Sequence, residues 1–266
     1  MHPSAEAIGL APALAAGLAL AARGSRVSRP RLVAGAVGVV LVFAAFVTEL
    51  EPLANHTFLW AHLLQNVVLA EWAPALLLLA VPPRIADRAS RFPLFRPFVA
   101  LPLWLAVYYV WHLPWIYDTA LRHPHSLLHV EHVTYLAAGV CVWWPVVHGK
   151  GSAGAKAAYL FAAFVLSSPL GLLLALIPRA IYPFYVHAPR AWGPSPLADQ
   201  QIAGVTMAAE EALVFFGAFA AYLLRFLADE QASGAFGPPS SNASAPGAGA
   251  RPAALGAAPG SARPRR

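Results

Sequence analysis

Seven apolar runs, at 5 to 22, 31 to 50, 57 to 81, 97 to 116, 126 to 147, 156 to 178 and 200 to 227, alternate with short polar connections along the chain. Crossing the hydrocarbon takes roughly 20 mostly apolar residues in helical form, and only helices or closed barrels satisfy their backbone there. The pattern therefore predicts an all-α, polytopic membrane protein, a seven-transmembrane-helix bundle. The first run, rich in Ala and Gly and holding Pro12, is the weakest and has the length of a secretory signal. A signal peptide carries its basic residues before the apolar core, whereas Arg23, Arg26, Arg29 and Arg31 all follow this one. After Glu230 the pattern gives way to Gly, Pro, Ala and Ser. We therefore divide the chain into a membrane domain, 1–230, and a tail, 231–266, too poor in apolar residues to fold. No internal repeat is visible, so the usual pointer to an inverted-repeat transporter is missing.

Composition agrees with this class: 59% of residues are hydrophobic, 11% are charged and the mean hydropathy is +0.59. The single cysteine, Cys141, has no partner in its own chain, which excludes disulfide frameworks and zinc ribbons. A net charge of +6 does not mean nucleic acid here, because the basic residues cluster briefly between apolar runs. Sorted onto alternate sides of seven spans, fifteen Lys and Arg share one side and only Arg122, Arg179 and Arg190 the other. By the positive-inside rule the N-terminus is outside and the C-terminus, with its tail, cytoplasmic.

On that topology nine of the ten histidines fall in or near the outer half, His148 being the exception. His125, His129 and His132 stand at i, i+4 and i+7 on one face of the fifth run, with Glu131 pointing elsewhere. His62, Gln65 and Asn66 share a face of the third run, and Glu71 lies opposite and deeper. In the seventh, Gln200, Gly204, Met207 and the pair Glu210 and Glu211 form a stripe toward the bilayer centre. Ionisable groups at such depth cost a few kcal/mol or more and normally face the bundle interior or a cavity. His2, His56, His123 and His187 read as interfacial. His62, His112, His129 and His132 recur at one depth on three helices, a layer suited to holding a metal or handling protons. Imidazole suits copper, zinc and haem iron, and a thioether such as Met207 favours Cu(I) or haem iron over zinc, although methionine in an apolar helix is most often packing. Trp60, Trp104, Trp111, Trp115, Trp143, Trp144, Tyr182 and Tyr185 are expected mainly in interfacial aromatic belts. HVEH lacks the spacing of either zincin order, and no phosphate loop or nucleophile elbow occurs, so a non-enzymatic protein is expected.

Four stretches then carry a family resemblance: HLLQNVVLAEWAPALLLLAVPP (62–83), WHLPWIYDTAL (111–121), HVEHVTYLAAGVCVWWPV (129–146) and YPFYVHAPRAWGPSPLADQQIAGVTM (182–207). In this order they resemble the CtaG-like assembly factors of caa-type cytochrome c oxidase, seven-helix proteins of the bacterial plasma (inner) membrane. The resemblance implies a part in maturing the oxidase, handling copper destined for its metal centres, with oxidase subunits or other assembly factors as partners. The family's polar positions fall here on His62 and Gln65, His112, Glu131 with His132, and Asp199, Gln200 and Gln201 with Met207. One departure is Asn66, where many relatives have a second histidine; asparagine is a poor ligand for a soft metal. Oxidase copper is acquired at the outer face, where the charge count independently puts the histidine layer. The alternatives are a haem-binding membrane redox protein, a copper transporter or channel lined by Glu71, Glu210 and Glu211, and a scaffold without metal. A metal site is expected between the third, fourth, fifth and seventh helices, with His62, His112, His129 and His132 drawn together.

Overall fold

The computed structural model describes residues 5–24 and 27–233, which contain helices and no strand. His2 and all of the expected tail beyond 233 lie outside the described residues. Each of the seven apolar runs is helical. They comprise α1 (Ala5–Gly24), α2 (Arg29–Val47), α4 and α5 (Leu59–Val67 and Ala73–Leu79), α7 (Pro97–Trp111), α9 (Leu127–Val147), α10 (Ala153–Leu176), and α12 and α13 (Pro196–Glu211 and Gly217–Ala232). Short helices α3 (Leu50–His56), α6 (Pro83–Ala89), α8 (Pro114–Arg122) and α11 (Pro183–Val186) occupy the connections.

Among the described residues five helical segments are long and apolar enough to cross a membrane, set against seven apolar runs, and a sixth is reached if α7 and α8 are one broken span. The apolar part of α1, Ile8–Leu20, is shorter. The fourth run, expected unbroken to 116, bends by 72° between α7 and α8. Pro114 explains the break, because proline disfavours helical backbone in the residue before it and suits the first position of a new helix. His112 lies at this corner.

Two of the long helices contain π-helical turns, Val68–Trp72 between α4 and α5 and Ala212–Phe216 between α12 and α13. A π turn repeats at i to i+5 and is often found beside functional groups. Here the first turn holds Glu71 and the second follows Glu210 and Glu211 directly.

Helices α4–α5 and α9 are the most enclosed, and the core around them takes Phe46, Trp104, Tyr117, Tyr135, Leu160 and Phe215 from six different segments. The outward faces are apolar too: Val33, Val37 and Val40 are exposed on one face of α2 and Leu172, Leu173 and Leu176 on α10. An apolar outer surface over a core rich in hydroxyl and charged groups suits lipid as the solvent. Helices α10 and α12 approach closely at Gly171 and Gly204. A Cβ on Gly204 would sit 2.6 Å from the Gly171 carbonyl oxygen, so only glycine permits this separation.

The basic connections gather at one end of the bundle. Arg31 and Lys156 both act electrostatically on His148, whose imidazole burial pushes below its ordinary value, and Arg225 stands beside Lys156. The aromatic-belt expectation fails for five residues: Trp104, Trp143, Trp144, Tyr182 and Tyr185 are all buried. Sequence depth places such rings near an interface, but they point inward and fill the core.

Candidate functional site

The polar residues of four elements meet inside the bundle. From α4 come His62, Gln65 and Asn66, from the α7–α8 corner His112, from α9 Glu131 and His132, and from the segment before α12 Tyr182 and Tyr185; all are buried. Glu131 is fully buried and faces His62, its Oε1 3.4 Å from His62 Nε2. Asn66 Nδ2 donates to the same oxygen at 2.8 Å. The two imidazoles of His62 and His132 lie 6.2 Å apart, and Phe46 packs on His132 at 5.0 Å. The Tyr117 ring packs against both His62 and His112, at 5.0 and 6.0 Å.

The buried face of α9 runs through Leu128, Glu131, His132, Tyr135 and Ala138. Glu131 therefore turns inward where the sequence pattern aimed it elsewhere, and His129 is only half-buried and His125 exposed. A helix advances 100° per residue, so a stripe through 125, 129 and 132 is rotated well away from the centre of that face. The structure brings His62 and His132 together and places His112 across Tyr117 from His62. It does not bring His129 into the buried set.

The hydrogen-bond network assigns the Nδ1 proton of His62 and of His112. Burial, and after it the nearby Glu131 carboxylate, push the Tyr185 phenol well above its ordinary range, so it keeps a single proton. That proton goes to the Ala54 carbonyl at 2.5 Å, and Tyr185 Oη must then accept from His62 Nδ1 at 2.9 Å. His62 Nε2 is left facing Glu131 across 3.4 Å, with no hydrogen bond closing the gap. His112 Nδ1 donates to the Tyr108 carbonyl at 2.7 Å, and its Nε2 is buried without a partner. Metal-binding histidines are usually held this way, with the far ring nitrogen donating to a carbonyl or hydroxyl.

A ring nitrogen and a carboxylate oxygen facing each other in a buried site need a proton or a cation between them. Donors at a tetrahedral angle with bonds of about 2.0–2.1 Å stand roughly 3.4 Å apart, which is the His62–Glu131 separation. The donor set and this edge fit a metal ion. Among the described residues, however, no group of three or more His, Cys, Asp or Glu side chains forms a ready metal cage. The arrangement is an open pair.

Beneath it is a cavity of ≈ 10 Å³, about the space of one water, lined by Asn66, Glu71, Tyr108, His112, Tyr135 and Met207 among others. Asn66 and Glu71 both reach it because they are five residues apart, the repeat of the π turn that Glu71 occupies. Met207 is buried against this cavity, with Gly171 behind it. On the far side stand three carboxyl groups. Trp72 Nε1 donates to Glu210 at 2.8 Å, Tyr108 Oη donates to Glu211 at 2.6 Å, and Glu71 lies near both, its two oxygens buried without a hydrogen-bond partner.

The remaining candidates hold the frame. Asp199 accepts from the Leu59 and Trp60 backbone N–H groups at 2.9 and 3.1 Å and pairs with Arg190 at 2.9 Å. It thereby caps α4 from another helix, filling the place of the missing local cap. Gln200 pins the segment after α10, donating to the Arg179 carbonyl and accepting from the Ile181 N–H. Gln65 donates to the Ala45 carbonyl, and Gln201 is half-exposed. Sequence reasoning missed Tyr108, Tyr117, Tyr135 and Tyr185 as parts of the centre. The only local signal was that Tyr182 and Tyr185 fall in a short polar connection rather than a span.

The fold and site define an all-helical protein with several membrane-crossing segments and a buried histidine–carboxylate–tyrosine centre. A family model described as cytochrome c oxidase caa3 assembly factor (Caa3_CtaG) matches residues 14–229, and the chain belongs to that family. No curated protein and no solved structure matches it.

Proposed function

We propose that the protein assists assembly of a caa-type cytochrome c oxidase by holding copper as cargo at the extracytoplasmic side of the bacterial plasma membrane. His62 and Glu131 are the first pair of donors, His132 and His112 are neighbouring imidazoles, and Met207 is a soft donor behind the cavity. The observation that carries this reading is the buried 3.4 Å approach of His62 Nε2 and Glu131 Oε1, with Nδ1 of the same ring fixed by Tyr185. An open pair suits cargo, since transfer requires ligands that a recipient can displace. The orientation rests on the positive-inside count, and oxidase subunits or other assembly factors are the partners this role requires.

The test is elemental analysis of detergent-purified protein after growth with copper, wild type beside Glu131→Gln and His132→Ala. Near-stoichiometric copper in the wild type and its loss in both variants is expected. Equal, trace copper in all three removes the cargo role and leaves a proton as the bridge between His62 and Glu131. A haem role would instead give a Soret band in the purified protein. Transport draws support from the Glu71–Glu210–Glu211 cluster behind the cavity. It is tested by copper flux into sealed vesicles, which Glu71→Gln would abolish.

A further inference from the structure

At the basic end of the bundle two neighbouring cavities share Phe95, Pro97, Gly149 and Lys150. One, of ≈ 660 Å³, is an apolar groove between the start of α7, the end of α9 and the start of α10, with Phe98, Leu101, Pro102, Ala158, Tyr159 and Ala162 among its walls. The other, of ≈ 650 Å³, lies at the helix ends and is lined by Arg91, Arg96 and Lys150, with Asp87 its one acidic residue. Among the described residues these three cations make no ion pair with a carboxylate. They come from two separate connections of the chain. The positive ends of the α7 and α10 dipoles point to the same place.

The walls are built rather than incidental. Phe95 stacks on Trp144 with ring centres 4.1 Å apart, and Trp144 Nε1 donates to Ser90 Oγ at 2.9 Å, which holds the connection carrying Arg91 and Arg96 against α9. Lys156 Nζ is engaged by the Val146 carbonyl at 2.9 Å, leaving Lys150 as the lysine common to both cavities.

We infer that this paired cavity binds an anionic phospholipid, its phosphate among Arg91, Arg96 and Lys150 and one acyl chain in the groove between α7, α9 and α10. A free phosphate would use the cations and have no need of the groove, and a zwitterionic lipid would use the groove but bring a further cation to a mouth that already holds three. Only a molecule carrying both parts matches a charged chamber continuous with an apolar one. The inference does not depend on the copper reading, because no residue is shared.

The test is native mass spectrometry of the full detergent-purified chain with phosphatidylglycerol, phosphatidylcholine or inorganic phosphate added. Phosphatidylglycerol should be retained well above phosphatidylcholine. Replacing Arg91, Arg96 and Lys150 by Gln should weaken it by about five-fold for each charge removed. Ala158→Phe, at an exposed position on the groove wall, should weaken phosphatidylglycerol and leave inorganic phosphate unchanged. Arg84→Gln, outside both cavities, should change nothing. Equal retention of the two lipids, no effect of Ala158→Phe, or an equal loss with Arg84→Gln would each overturn the assignment.

Discussion

Replacing Tyr185 by Phe tests whether the histidine–carboxylate pair is positioned for a ligand or is only a packed polar contact. The hydroxyl makes two bonds: it donates to the Ala54 carbonyl at 2.5 Å and accepts from His62 Nδ1 at 2.9 Å. Removing it leaves a buried carbonyl and a buried N–H unpaired, each costing about 1–3 kcal/mol. Part of that is recovered if the His62 ring turns or moves its proton to Nε2, and either change takes the Nε2 lone pair away from Glu131. Loss of such a supporting contact lowers metal affinity by about 10- to 100-fold, equivalent to roughly 1.4–2.8 kcal/mol. The assay is competition for Cu(I) with a chromogenic chelator on detergent-purified wild type, Tyr185→Phe and His62→Ala, with thermal unfolding measured in parallel. We expect Tyr185→Phe to bind between the other two and to unfold at a lower temperature. Wild-type copper affinity in folded Tyr185→Phe, alongside lowered thermal stability, would refute the reasoning and make Tyr185 purely structural.

Two further outcomes are expected. Asp199→Ala removes the cap of α4 and strands Arg190, whose side chain is 12% exposed, so a loss of about 3 kcal/mol is expected in thermal or denaturant unfolding. Asp199→Asn should lose less, since an amide oxygen in the Oδ2 position can still accept from the Leu59 N–H and from Arg190, while the Trp60 N–H loses its acceptor. Cys141 is buried, so single added cysteines report topology cleanly. A cysteine at His187 should react with a membrane-impermeant maleimide in intact cells, and one at Ser233 only after permeabilisation; the reverse pattern would invert the orientation and place the histidine centre on the cytoplasmic side.

Helix identity and approximate span position were legible residue by residue, because about 20 apolar residues in lipid have almost no choice but helix. Pro114 could have been read as a break in the fourth run, since the rule that the residue before proline avoids helix is local. The π turns at Val68–Trp72 and Ala212–Phe216 could not: neither VLAEW nor ALVFF differs in character from the α-helical residues around it, and the wider turn is set by what packs on either side. Among the residues buried at the centre, His62, Asn66, His112, His132 and Met207 were legible because a polar or thioether group in a long apolar run is conspicuous. Glu131 was found by family resemblance, yet aimed wrongly by the histidine stripe. Tyr185 and Tyr117 were hidden because tyrosine suits a membrane interface as well as a core.

The sequence by itself determined an all-helical membrane chain and the clustering of its basic connections, since hydropathy and charge act locally along the backbone. Only the tertiary structure decided that Glu131 faces His62, that Tyr185 fixes the proton on that ring, and that Asp199 caps a helix 140 residues away from it. Those outcomes depend on which faces of separate helices meet. In an apolar solvent every helix is greasy all round, so periodicity no longer marks the inward face, and close packing and the pairing of buried polar groups choose it instead.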